Sequence, residues 1–123
     1  MPFVRISLRH GTSLEYRRAI ADGVHRAMIE AIPIPPDDRF HVITEHAPDS
    51  LIYDPQYLGV HWSDRVVLVQ ITLSFGRKPQ QKRKLNKRMA EILAESPGLP
   101  SQDLLINFVD TSWENWSFGN GDG

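Results

Sequence analysis

The 123-residue chain carries fourteen Lys and Arg against fifteen Asp and Glu, so no global field draws it to nucleic acid or to an anionic membrane, and any anion selectivity has to be local. It has no cysteine, which excludes disulfides, thiol nucleophiles and cysteine-containing zinc sites and fits a reducing cytoplasmic setting. No charged-then-apolar leader pattern opens it and no apolar run reaches about 18 residues, so neither a secretory signal nor a membrane span is expected.

The length suits one domain over residues 1–123, near the small end for an enzyme acting alone, so assembly is expected to help. In MPFVRISLR, Val4, Ile6 and Leu8 alternate with Phe3, Arg5 and Ser7, the period of a strand with one buried face. Pro2 stands just ahead of it. Proline at that place ordinarily marks the first residue or the edge of a strand. The sharper reading starts from the initiator methionine, which aminopeptidases remove before small residues and proline. Its loss would leave Pro2 as a chain-terminal secondary amine. At the start of a central strand, apolar surroundings would disfavour the cation and lower its pKa from the free α-amino range of about 8, making a usable general base near neutrality.

HGTSLEYRRAIADGVHRAMIEAI places Ile20, Val24, Ala27, Met28 and Ala31 on one helical face behind a Thr12/Ser13 cap, with Glu15 in the first turn. IPIPPDDRF is a proline-studded connector leading into a second extended run, FHVITEH. Within it Asp37 and Asp38 are turn residues by type, and spacing does not choose between them as a functional carboxylate. APDSLIYDPQYLGVHWSD lacks sustained periodicity and reads as a loop with room for a helical turn or a hairpin. VVLVQITL is a β-branched strand. After SFGRKP comes a helix with Pro79 at its first position and Leu85, Met89, Ile92 and Leu93 on one face; its lysines and arginines read as the solvated side. DLLINFVDT is the last strand.

The order strand, helix, strand thus occurs twice, in halves of about 1–60 and 61–123, related by a shift of roughly 65 positions that pairs Gly11 with Gly76. The expected fold is an α+β two-layer sandwich of tandem β-α-β units, a four-stranded mixed sheet with both helices on one face. The other face, expected to expose Phe3, Val69, Ile71 and Leu73 or their neighbours, would need a second subunit.

Arg77 sits in the first turn ahead of a helix, where the dipole disfavours a cation; it either pairs with a surface carboxylate or, with the helix N-terminus, holds a substrate carboxylate. The tail TSWENWSFGNGDG gathers Trp113, Trp116 and Phe118, the material of an interface or of a pocket wall. The five histidines show no metal-binding spacing, so no metal is expected.

Pro2, two β-α-β units, PPDDRF, VVLVQITL running into a basic residue before the second helix, and NWSFGNG, in this order, resemble the tautomerase superfamily, and within it the malonate semialdehyde decarboxylase-like group. The resemblance covers nearly the whole chain. It implies a homotrimer with no metal or organic cofactor, whose active sites each hold a catalytic amino-terminal proline. Carried over residue by residue, it implies catalytic roles for Pro2, Asp38 and Arg77 and substrate contacts from Arg77, Phe75, Trp116 and Phe118. Phe75 occupies the position of the first arginine in the group's Arg-x-Arg pattern. One cation in place of two favours keto–enol tautomerisation of a small 2-oxo acid of the phenylpyruvate kind. A decarboxylase- or hydratase-like lyase and a non-catalytic binding protein of the same fold are the competing readings.

Overall fold

A computed structural model describes residues 2–123; the expected removal of Met1 lies outside the described residues. Strand β1 (Phe3–Arg9) is followed by helix α1 (Leu14–Ala31), strand β2 (His41–His46) and a short hairpin of β3 (Gln56–Tyr57) and β4 (Val60–His61). The second half supplies β5 (Val67–Ser74), α2 (Pro79–Glu95) and β6 (Leu104–Thr111). One four-stranded sheet runs through both halves in the order β2-β1-β5-β6, its outer pairs parallel and its central pair antiparallel. Right-handed crossovers place both helices on one face of such a sheet.

Local chemistry explains the helix starts. Ser13 caps α1 by accepting the Tyr16 N–H at 3.0 Å, and Pro79 opens α2, where its missing donor costs nothing, while Gln81 accepts the Lys78 N–H at 2.9 Å. Val4, Ile6 and Leu8 from β1 and Val67, Val69, Ile71 and Leu73 from β5 meet Ile20, Val24 and Met28 of α1 and Leu85, Met89 and Leu93 of α2 in the core. The helices approach closely at Gly23, where a Cβ would lie 2.6 Å from Leu93 Cδ2 and 3.2 Å from Ile92 Cγ2. Gly23→Val should therefore lower the thermal midpoint by roughly 10 °C, from about 2–3 kcal/mol of overpacking, and Gly23→Ala by much less, because alanine recovers helix propensity. Thermal unfolding followed by circular dichroism checks both.

The expected open face needs one correction. Val69, Ile71 and Leu73 are buried under the helices, and the open face carries Phe3, Arg5, Leu68, Gln70 and Thr72, with exposed Val42, Leu105 and Val109 on the outer strands. The pairing Val4 with Ile71 and Ile6 with Val69 fixes this, because residues directly opposite one another share a face. Gln70 and Thr72, alternating with Val69, Ile71 and Leu73, already mark the polar, outward face in the sequence, a signal that the apolar start of VVLVQITL masked.

Several bonds recur between the two halves. Arg17 pairs with Glu45, and 65 positions on Lys82 pairs with Asp110 at 2.7 Å. The His10 N–H donates to His46 O at 2.8 Å, as Phe75 N–H does to Thr111 O at 3.1 Å. The Asp38 N–H donates to Pro35 O at 3.0 Å, as Asp103 N–H does to Pro100 O at 2.9 Å. Gly11 and Gly76, at φ +107° and +120°, turn the chain from strand to helix in each half, a conformation that side chains disfavour. Most of the basic face of α2 is solvated, but Lys82 and Arg88 are tied down, the latter to Glu30 of α1 at 2.8 Å.

Candidate active site

Strand register gathers the candidate residues at one end of the sheet. Pro2, which is buried, precedes β1, an interior strand, on the side where β5 ends, since Phe3 lies opposite Thr72. β2 begins at the same end, where Val4 N–H donates to Phe40 O at 2.9 Å, and β6 finishes there with Thr111 opposite Ser74. The connector with Asp38, the turn with Arg77 and the aromatic tail therefore converge around the start of β1.

Arg77 is half-buried and held from behind. Its Nη1 donates to Ser74 Oγ at 3.0 Å and reaches Ser74 O at 3.5 Å, and Ser74 is itself buried. No described carboxylate lies within 4.0 Å of its guanidinium. A cation just ahead of a helix N-terminus is electrostatically disfavoured, and an anion bound by both would relieve that. Ser74 was not singled out from the sequence; its signal was a hydroxyl ending an apolar strand three residues before the arginine.

Asp38 is half-buried whereas Asp37 is exposed, so only the former turns toward the protein. Its turn is pinned to α1. His25 Nε2 donates to Pro36 O at 2.7 Å, Arg39 pairs with Asp22 at 2.8 Å, and the His41 ring stands edge-on to His25 at 5.8 Å. Burial first, then the charges of Arg39 and His25 against the weaker opposing pull of Asp22, push the His41 pKa from 6.5 down to about 4. The folded state thus holds His41 neutral while the unfolded chain protonates it. The resulting stability is complete above about pH 6.5 and is lost as pH falls toward 4. With allowance for solvent screening it amounts to about 1–2 kcal/mol. Thermal midpoints at pH 7.5 and 4.5 should differ accordingly, and His41→Gln should flatten that difference.

The tail folds back as a wall. Trp116 and Phe118 stack at 5.4 Å with an interplanar angle of 7°, and Phe40 adds a third ring 5.9 Å from Phe118. Trp116 Nε1 is buried and has no acceptor among the described residues. A cavity of about 390 Å³ runs along the tail, lined by Trp113, Trp116, Phe118 and Gly119; neither Pro2 nor Arg77 lines it. Phe75 reaches this end through its backbone, but its ring is 64% exposed and does not join the stack. Phe40 was not anticipated, since a lone aromatic beside a strand reads as core. A guanidinium without a carboxylate, an indole N–H without an acceptor and a three-ring wall suit a small, partly apolar anion. Among the described residues no group of three or more His, Asp or Glu is disposed to hold a metal ion.

Two family models, both described as tautomerase enzyme, match residues 38–119 and 2–61. The probable tautomerase YusQ of Bacillus subtilis (strain 168) is 36% identical over 121 residues, 98% of this chain and 95% of that protein. The crystal structure of FG41 malonate semialdehyde decarboxylase inhibited by 3-bromopropiolate superimposes with a TM-score of 0.90 at 36% identity, over 98% of this chain and 91% of that one. A fused 4-OT described as a wild-type symmetric trimer shares the fold, with a TM-score of 0.78 at 18% identity over 98% of this chain and 94% of that one.

Proposed function

The chain belongs to the tautomerase family, and from that membership we propose that it is a cofactor-independent keto–enol tautomerase acting on a small 2-oxo acid such as phenylpyruvate. The observation that carries this reading is the sheet register that brings buried Pro2 to the same end as Arg77, a cation with no described carboxylate partner. With Met1 removed, the Pro2 nitrogen accepts the enol hydroxyl proton and a proton is returned to C3. The O–H bond breaks, the C–H bond forms, and the enol double bond becomes the ketone. Arg77 and the start of α2 hold the substrate carboxylate, Trp116 Nε1 donates to a substrate oxygen, and Phe118 and Phe40 cover the apolar end. Asp38 orients substrate or biases the protonation of Pro2. The test is enol-to-keto conversion of phenylpyruvate, followed by ultraviolet absorbance on protein whose intact mass lacks Met1. Absence of turnover in that form would leave a non-catalytic binding protein.

The likeness to a decarboxylase favours a second reading, a lyase acting on a three-carbon 3-oxo or unsaturated acid. Phe75 weighs against it, because holding a carboxylate and polarising a carbonyl together is work for two cations. The open sheet face supports a homotrimer, each copy covering its neighbour's Val42, Leu105 and Val109. Light scattering should give three times the 14.0 kDa chain mass, and Val109→Asp, placed on that face, should reduce it.

A further inference from the structure

The 65-residue repeat places a counterpart of the candidate active site at the opposite end of the sheet. There Val67 stands for Pro2 and Thr12 for Arg77, so neither a terminal amine nor the same arginine is available. Asp103 stands for Asp38 and is consumed structurally: buried, it accepts from Ser63 N–H and Ser63 Oγ, both at 2.7 Å. A hollow nevertheless lies there, a cavity of about 210 Å³ lined by Arg9, His10, Gly11, Thr12, Asp64 and Arg65 among others.

Its cations come from new positions. Arg9, in the place of Ser74, lies with its guanidinium 5.6 Å from the centre of the Tyr53 ring, and its Nε is buried with no hydrogen-bond partner among the described residues. Arg65 enters from the turn before β5 and spends one Nη2 contact on Gly98 O at 3.0 Å. Neither meets a described carboxylate within 4.0 Å. Nothing occupies the space within 4 Å of a Cβ built on Gly11, and α1 begins three residues later, so a ligand can approach backbone beside a positive helix end. Two arginines against Asp64 leave these three side chains one net positive charge, and Glu45, which lies 3.9 Å from His10 Nε2, is balanced by its ion pair with Arg17; that sum suits a monoanion better than a dianion.

We propose that this hollow is a second binding site for a small monocarboxylate, at the end of the sheet that carries neither Pro2 nor Arg77. The proposal does not depend on the tautomerase reading of the other end.

The full chain, isotopically labelled, is titrated with sodium propionate at pH 7.5 and followed by amide resonances. Saturable shifts are expected at His10, Gly11, Thr12 and Val66, and they should survive Arg77→Ala, which removes the cation at the other end. Arg9→Gln and Arg65→Gln should each weaken them by roughly tenfold or more, as loss of a charge-assisted hydrogen bond does. Arg65 is exposed, so its variant carries the test should Arg9→Gln fail to fold. Shifts confined to residues near Pro2 and Arg77, or undiminished in Arg65→Gln, would overturn the site. Tighter binding of malonate than of propionate would overturn its preference for a monoanion.

Discussion

Pro2→Ala is expected to slow enol-to-keto conversion of phenylpyruvate by about 10²–10⁴-fold while leaving the thermal midpoint nearly unchanged. The proline ring fixes the direction of its nitrogen relative to the chain, and β1, paired on both sides, fixes the chain. Alanine keeps a terminal amine but makes it primary and free to rotate, so a residual rate should persist. A retained Met1 would turn the same nitrogen into an amide and abolish activity outright, which makes mass and rate on one sample a joint test. The pH profile separates the two enzymatic readings. A neutral proline acting as base gives a rate that rises with pH through the titration of the amine, whereas a cationic proline assisting a lyase loses rate over that interval. Full activity in Pro2→Ala would remove the mechanism.

Most of the architecture was legible because each element announces itself locally. The alternation in FVRISLR, the Ser13 cap, Pro79 at the start of α2 and the punctuation of IPIPPDDRF depend only on neighbours in sequence, and each fell where it was expected. Long-range pairing was less visible. The register against β1 fixed the parity of β5, which Gln70 and Thr72 already indicated by alternating with Val69, Ile71 and Leu73. The repeat shows the same limit: few residues match between halves, yet Arg17–Glu45 and Lys82–Asp110 keep charge and place while changing identity. At the candidate site, Pro2 and Arg77 stood out by type and by resemblance and Asp38 by resemblance alone; Asp38 is half-buried where Asp37 is exposed. The supporting residues did not stand out. Ser74 matters through the direction of one hydroxyl, Phe40 through a ring that meets a tail 78 positions away, and His25 with His41 through a contact between α1 and β2.

Arg77→Ala should lower kcat/KM by roughly 10- to 150-fold, the equivalent of about 1.5–3 kcal/mol for hydrogen bonds to a charged group, and the loss should fall mainly on KM. This division follows from the proposed role, since a carboxylate remote from the migrating proton is bound alike in ground and transition states. Arg77→Lys should recover part of the loss, because it restores the charge without the planar fork that matches a carboxylate. Ser74→Ala provides the finer test. It removes the 3.0 Å bond that holds Nη1 and leaves the guanidinium itself intact, so a several-fold rise in KM at constant kcat is expected, about 1 kcal/mol of lost orientation. Steady-state kinetics on the three variants, each with its melting temperature, distinguish binding from folding. If Arg77 instead served only the surface, Arg77→Ala and Ser74→Ala would leave KM where it was, and the carboxylate would have to be held by the start of α2 and Trp116 alone.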